Sequence, residues 1–577
     1  MGLLDGYFSL GENSSDRKEG ALAELPELSL DLSDAELVDL ATKWEKKWRD
    51  YEPVLKKQQE ANENYYLGKQ HNFSTTEERG VVDNVIFEAV ETFLPQATKK
   101  NPDPVVRSDD TEEGINLSKS VQKMLSYHAD RLRLRLRGKR AIRYWVLYLV
   151  AYMKHGWDQI ENDIDSVVNR PQNLILDPDA YIDDNMEYMG EYLGENMETT
   201  AAKLIARFPE KKEYITKKVN GQLGTKVKYT EWWTPEYVFW QCGKEVLGKA
   251  KNPHWNYDEE TEVVDEYGMT QKQFVEGKNH FPAPKIPYTF LSIFNLGQHP
   301  HDETSLIGQN IPNQDIINKR NCQIDRNADS MNGGLVVSGD RSGLSREQAA
   351  LAGEALRKGG TIYVAQGAAN EAVYRDQAPG LPADIFNQLA DMRNETRNIF
   401  GISGSNAEGI KATETATGKA IVREADADRI GGGISEHLEQ FYDNVYNWWV
   451  QLMYVYYDET HVAAVVGKEK ASEYIKIHKD DFDRKLTVSV KEGSLIPDSD
   501  AERALEAKEL LVSGNLDPIT AYDRMGYPDP KETAERTYFW KADPTLLLPE
   551  AGAQVEAKAE QQMLEQAALA QEVQPQV

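Results

Sequence analysis

Residues that could handle phosphate, a metal or an acyl group occur in this sequence only in incomplete sets. A nucleotide-driven motor needs G-x-x-x-x-G-K-[ST], because glycines let backbone N–H groups close around the phosphates and the final hydroxyl holds the metal. The nearest approach is Gly418-Lys419, with Ala420 in place of the hydroxyl and Thr413 in place of the first glycine. Gly401-Ile402-Ser403-Gly404-Ser405 has the outline of a nucleophile elbow, but Ser405 stands where the closing glycine belongs and no strand is evident before it. No H-E-x-x-H pair is present. His299 and His301 flank Pro300 without the further ligands zinc requires, so a polar loop is expected there.

Three clusters remain. Asp177, Asp179, Asp183 and Asp184 could hold a hard cation, but the glycine and distal glutamate of an EF-hand loop are missing, and a solvated turn is the favoured reading. The basic stretch is Arg131, Arg133, Arg135 and Arg137, followed by Lys139, Arg140 and Arg143. In so acidic a chain it is expected to pair with acidic groups of a neighbouring subunit, with a DNA contact as the alternative. The aromatic stripe from Tyr442 to Tyr457 contains no Lys or Arg, so it reads as core or interface packing and not as a base-stacking platform.

These groups sit in 577 residues, enough for roughly three to five packed units. With 40% hydrophobic and 28% charged residues the composition is that of a folded, surface-rich or elongated chain. A net charge of −29 opposes tight wrapping of a phosphate backbone, which needs dense Lys and Arg. Cys242 and Cys322 announce no disulfide framework or cysteine metal site, which fits a reducing compartment. Met1–Leu10 lacks the basic start and apolar run of a secretory signal, so synthesis in the cytoplasm is expected. The most apolar run, Tyr144–Met153, would span about 15 Å as a helix against a bilayer core of about 30 Å. It is expected to be a buried helix and no membrane anchor.

The elements that must position these residues follow from periodicity. Asp34–Leu67 reads as one long helix stopped by Gly68 and kinked at Pro53, and Asn84–Thr98 as a second before the strand-like Val105–Val106. Ile115–Met153 is expected to be helical through the alternating Arg131–Arg137 run, broken at Gly138. Stretches 157–182 and 227–246 are β-rich. Ser305–Ser330 is a further helix. A small unit follows: strand Gly334–Ser338, turn Gly339–Gly343, helix Ser345–Lys358 and strand Thr361–Ala365. Pro382–Phe400 is a helix, 401–417 a loop of small residues, and Gly418–Tyr457 a long helix. Tyr474–Glu492 is strand-rich, and the chain from Asp498 is helical with an Ala/Gln/Glu-rich tail.

The order of these elements resembles that of the portal, or head-to-tail connector, proteins of tailed bacteriophages over residues 35–540. The stretches that carry the likeness are Tyr65-Tyr66-Leu67-Gly68-Lys69-Gln70, then Asn84 with Val90-Glu91-Thr92 and Pro102, Ile175–Ala180 followed by Arg207-Phe208-Pro209, Gln314–Lys319, and Glu414–Arg423. The resemblance implies an α+β, helix-rich portal-type fold with wing, stem, clip and crown regions, assembling as a ring. On this chain it implies a flexible N-terminal arm (1–33), a wing (34–304), a first stem helix (305–331), a clip (332–381) and a second stem helix (382–400). A tunnel loop (401–417), a long helix with returning wing strands (418–497), and a helical crown with a C-terminal tail (498–577) complete the division.

The implied function is a non-enzymatic, ring-shaped DNA channel at one capsid vertex, serving genome packaging, retention and ejection, with no cofactor. Implied partners are further copies of the chain, twelve in the usual ring, the terminase, a tail or head-tail adaptor, the major capsid protein or scaffold, and the double-stranded DNA in transit. The implied location is the virion, after assembly in the host cytoplasm. Ser403, Ser405, Lys411, Thr413 and Glu414 would then line the channel. Arg341, Arg346, Glu347, Arg357 and Lys358 would lie on the clip as partner contacts. The residues agree at three points: ATPase chemistry is missing, long helices are joined by compact α/β units, and the chain is strongly acidic, so that an acidic channel would repel phosphates and let DNA slide. Another virion ring or head-tail adaptor is the structural alternative. A DNA-processing enzyme is the alternative of another class, disfavoured by the missing phosphate loop and metal motif.

Overall fold

The computed structural model describes residues 32–70, 80–97, 102–159, 161–264, 270–295, 299–301, 304–331, 334–337, 345–357, 373–376, 380–402, 434, 436–457, 461–466, 472–478, 481–482, 485–490, 500–527 and 529–542. They form a helix-rich α+β chain of two compact units, residues 1–465 with 474–496, and residues 466–473 with 497–577.

The first unit opens with a helix, Asp34–Tyr66, whose start is fixed by a capping box. The Ser33 hydroxyl accepts from the Glu36 amide, and the Glu36 carboxylate accepts from Ser33 N at 2.8 Å. Its inward stripe is Leu37, Ala41, Trp44, Trp48 and Leu55. The helix runs through Pro53 and ends where Gly68 adopts φ 74°, a conformation open to glycine. The second helix is Val85–Ala97 and the first strand Pro104–Arg107.

The arginine run behaves differently from its expectation. The helix Glu112–Arg131 stops, Arg133 turns left-handed at φ 51°, and a new helix runs from Leu134 to Tyr148. Gly138 therefore breaks nothing. It lies inside the second helix, where a Cβ would sit 1.9 Å from the Tyr442 hydroxyl, so its role is close approach. Tyr144–Met153 is not one buried helix either: the helix ends at Tyr148, Leu149 is left-handed, and Ala151 opens the strand Ala151–Asp158. A fully buried apolar run satisfies both periods, and only its neighbours decide between them. No described helix is long and apolar enough to cross a membrane.

That strand is the centre of a three-stranded sheet, between Tyr288–Leu291 and Asp163–Val167. A five-stranded antiparallel sheet runs Glu245–Lys251, Tyr237–Cys242, Lys226–Trp233, Leu193–Thr200, Leu174–Leu176. The helix Glu436–Tyr456 packs on the three-stranded sheet, burying Tyr442, Tyr446, Trp448 and Trp449. Tyr457, just after it, is buried as well. The aromatic stripe is thus core. Trp449 Nε1 donates to Ser166 Oγ at 2.8 Å, and the Tyr446 hydroxyl to the Pro102 carbonyl at 2.7 Å.

Two further long helices are Leu306–Met331 and Ala383–Ile399. Between them Gly334–Val337 pairs antiparallel with Val373–Asp376, and Arg346–Arg357 is helical, started by Ser345. The expected strand Thr361–Ala365 and turn Gly339–Gly343 lie outside the described residues, as do residues 403–433. The second unit contains the helices Asp500–Val512, Pro518–Arg524 and Pro530–Ala542.

Candidate functional site: a polar root for two long helices

The helices Leu306–Met331 and Ala383–Ile399 lie antiparallel, with Ile317 and Leu389 buried at their contact beside Val85. Arg320 Nε donates to Gln388 Oε1 at 2.7 Å across them. Their root is built from amides that leave almost no freedom. Gln314 is fully buried. Its nitrogen donates to the Asp83 carbonyl at 2.6 Å and to Asn318 Oδ1 at 3.0 Å, and its oxygen accepts from Val85 N at 3.1 Å. Asn318 donates to Gln70 Oε1 at 2.6 Å, and Gln70 donates in turn to the Tyr65 carbonyl at 2.8 Å and Asn84 Oδ1 at 3.1 Å. The Tyr65 hydroxyl donates to Asp315 Oδ1 at 2.6 Å; burial and that carboxylate push its pKa up to about 12.

The second long helix is held by charge. Arg393 pairs with Asp83, and Arg397 with Glu88 at 2.9 Å. Residues 83–88 thus anchor both helices, one through neutral amides and the other through ion pairs. Every donor atom in the amide chain meets an acceptor. The arrangement fixes an angle between elements.

The basic stretch divides. Arg131 pairs with Asp163 at 3.2 Å, Arg137 with Asp165 at 2.9 Å and Arg143 with Glu91 at 2.9 Å, all within the chain. Arg133, Arg135 and Arg140 are exposed, Lys139 is half-buried, and none has an ion-pair partner among the described residues. Alternate residues of a helical run fall on different faces, which separates the two sets. Arg346 and Glu347 are exposed in the first turn of their helix. Arg357 ends that helix, and Arg341 and Lys358 lie outside the described residues. So do Ser403, Ser405, Lys411, Thr413 and Glu414.

His299 and His301 form no solvated loop. Both are buried, stacked on each other with centroids 5.6 Å apart and packed against Trp48. Burial holds the His301 pKa well below its ordinary value, so the ring packs as a neutral aromatic. Among the described residues no three His, Cys, Asp or Glu side chains gather as a metal site. The aspartates cap turns: Asp177 accepts from the Asp179 and Glu191 amides, and Asp183 from those of Asn185 and Glu187. Cys242 and Cys322 are both free.

One cluster has no counterpart among the sequence expectations. Lys154, in the middle strand of the three-stranded sheet, reaches Glu195 at 2.9 Å and Glu231 at 2.7 Å in the five-stranded one, and all three are buried. Tyr152, Tyr288 and Asn169 donate to Glu195, and Trp233 and Trp240 to Glu231. Arg207 Nη2 lies 3.7 Å from Glu231 and its guanidinium faces the Trp240 ring. Burial opposes every charge here, yet the carboxylates hold the Lys154 pKa above its ordinary value and Lys154 holds Glu195 below its own. The signal was legible in part: a lysine and a glutamate inside otherwise apolar strand segments, Tyr152–Trp157 and Thr230–Trp233.

A family model described as phage P22-like portal protein matches residues 42–577. The chain belongs to that family. No curated protein matches it. A solved chain from the "Virion of native gene transfer agent (GTA) particle" is similar at 12% identity and TM-score 0.35, covering 78% of this chain and 91% of that one. Membership makes this portal-family chain a structural virion component. Six of the residues that carried the sequence resemblance, Tyr65, Gln70, Asn84, Gln314, Asp315 and Asn318, meet in one hydrogen-bonded root.

Proposed function

We propose that this chain forms a closed ring of twelve copies around a channel at one capsid vertex, through which double-stranded DNA is packaged, retained and ejected. The observation that carries the reading is the shared root. Two antiparallel helices leave residues 83–88 together and are joined at their far ends by a strand pair and a short helix. Leu306–Met331 and Ala383–Ile399 are then the stem helices, the intervening unit the clip, residues 34–304 with 418–497 the wing, and residues 498–577 the crown. A stem must cross the shell at a set angle, and a root of matched amides supplies one.

Arg341, Arg346, Glu347, Arg357 and Lys358 of the clip dock the terminase and then the tail or head-tail adaptor, and the wing meets the capsid protein or scaffold. The chain itself turns over no substrate and uses no cofactor. Assembly takes place in the host cytoplasm. Negative-stain images and light scattering of the purified chain test the reading: closed rings with a central pore are expected, and monomers alone at every concentration and salt would overturn it.

A further inference from the structure

A cavity of about 940 Å³ in the first unit belongs to none of the clusters described above. It lies between the short hairpin of Tyr181–Ile182 and Tyr188–Met189, the segment 280–289, the helix Glu436–Tyr456 and the strand Thr487–Val490. Its wall is largely apolar, with Met186, Phe281, Ile286, Trp448, Leu486 and Val488. Tyr181 and Met189, opposed in the hairpin, border it while 46% and 45% exposed. A cavity of this size and lining has room for a ligand or for several side chains of a partner.

The strand at its edge points to a peptide. Among the described strands, Thr487–Val490 pairs with Pro104–Arg107 alone, which leaves its other edge open. Val490 N donates to Asp443 Oδ1, so the main-chain groups of Val490 turn away from the paired strand. These groups alternate in direction along an antiparallel strand, so the N–H and C=O of Val488 turn away as well. Val488 is buried, lines the cavity, and has no hydrogen-bond partner for either group among the described residues. A buried main-chain edge left unmatched is costly alone and is a template for a further strand.

The charges say what that strand carries. Asp177, Asp179, Glu187 and Glu191 border the cavity against Lys47 and Lys285, and both lysines are already paired, with Asp179 and Glu187. This balance repels phosphate, so nucleic acid does not fit. It also disfavours the two ends of this chain, since residues 1–31 carry seven acidic against two basic side chains and residues 543–577 six against one. We propose that the cavity binds an extended segment of another protein, added as a strand at Val488, with apolar side chains on the cavity wall and Lys or Arg toward the carboxylates. Side chains of a strand alternate between two faces, so apolar and basic residues alternate in the segment.

Short random peptides displayed on a carrier and panned against the immobilised full chain test this, with the winners measured by fluorescence anisotropy. Winners should alternate apolar residues with Lys or Arg. N-methylation of their edge-facing amides should weaken binding about tenfold, the loss of one or two main-chain hydrogen bonds. Glu191→Lys, an exposed change at the rim, should weaken it about fivefold, with circular dichroism unchanged. Failure to enrich any peptide, winners without an excess of cations, or no effect of Glu191→Lys overturns the proposal. Indifference to N-methylation does so too, because the cavity then takes side chains without strand addition. Peptides of residues 1–31 or 543–577 that bind as tightly as the winners would make this chain's own end the occupant, and winners that bind the dissociated chain but not its assembly would make it a second copy; each outcome overturns the proposal.

Discussion

Lys154 is buried with two carboxylates, and its neighbours show why such a charge survives there. Glu195 and Glu231 are each met by several donors, so removing the ammonium leaves buried Glu195 with only neutral partners and buried Glu231 with the Arg207 guanidinium at 3.7 Å. Lys154→Met is expected to cost about 3–5 kcal/mol in urea unfolding, the penalty for breaking a buried pair on one side. A loss below 1 kcal/mol would mean the sheets do not depend on it. Asp443 gives a prediction with a pH signature. Burial raises its pKa from 3.8 to about 6, against the lowering effect of its hydrogen bond from Val490 N. The folded chain therefore holds a proton there that the unfolded chain has released, and this contribution to stability is lost as pH rises from about 4 to 6. Asp443→Asn keeps an acceptor for Val490 without the charge. The variant should match the parent near pH 4 and exceed it at pH 7.5 by about 1 kcal/mol, after allowance for solvent at a partly exposed group. A stability difference that is flat with pH sinks the assignment.

At the scale of elements, the root of the two long helices is where a small change reaches furthest. Gln314→Ala removes the side-chain bonds to the Val85 amide, the Asp83 carbonyl and Asn318, while Val85 N keeps its 2.9 Å bond to the Asp83 carbonyl, so about 0.5–1.5 kcal/mol is expected for each bond lost. Hydrogen exchange should then rise along 306–331 before the sheets respond, whereas uniform destabilisation of the whole unit would show that the root anchors nothing locally. The turn between Glu112–Arg131 and Leu134–Tyr148 offers the opposite sign. Arg133 pays for a left-handed backbone with no side-chain cap, so Arg133→Gly should raise the free energy of urea unfolding by about 1 kcal/mol. Unchanged or lowered stability there would show that the exposed guanidinium holds a contact worth more than the strain.

For the whole molecule, the ring reading would have an acidic chain guide DNA without gripping it, with few cations at the channel. Residues 401–417, expected from the sequence to be a loop, contain Lys411 as their one Lys or Arg, between Glu408 and Glu414. Twelve copies would make a thin basic ring, enough to touch passing DNA and too little to hold it. Lys411→Glu is expected to leave rings intact and to reduce packaged DNA in assembled particles, measured by DNA content per particle. Normal packaging and retention would make the loop a connector only.

Helix length, caps and core stripe were legible for Asp34–Tyr66, because a 3.6-residue period and a capping box are written locally. The two long helices and the strand at Gly334 were readable for the same reason, and the absence of a phosphate loop needed no structure at all. Only the fold decided what lies between distant segments. Tyr144–Met153 became half helix and half strand because Tyr288–Leu291 offers an edge to pair with. Half of the arginine run found carboxylates in or before the adjoining strands, Asp163, Asp165 and Glu91, and the other half found solvent. Gln314 meets Asp83 across 231 positions, and Lys154 meets Glu231 across 77. Local sequence sets backbone period and termini. Which polar groups satisfy one another in the interior is settled by packing, since burial makes an unmatched donor costly only once the chain has closed around it.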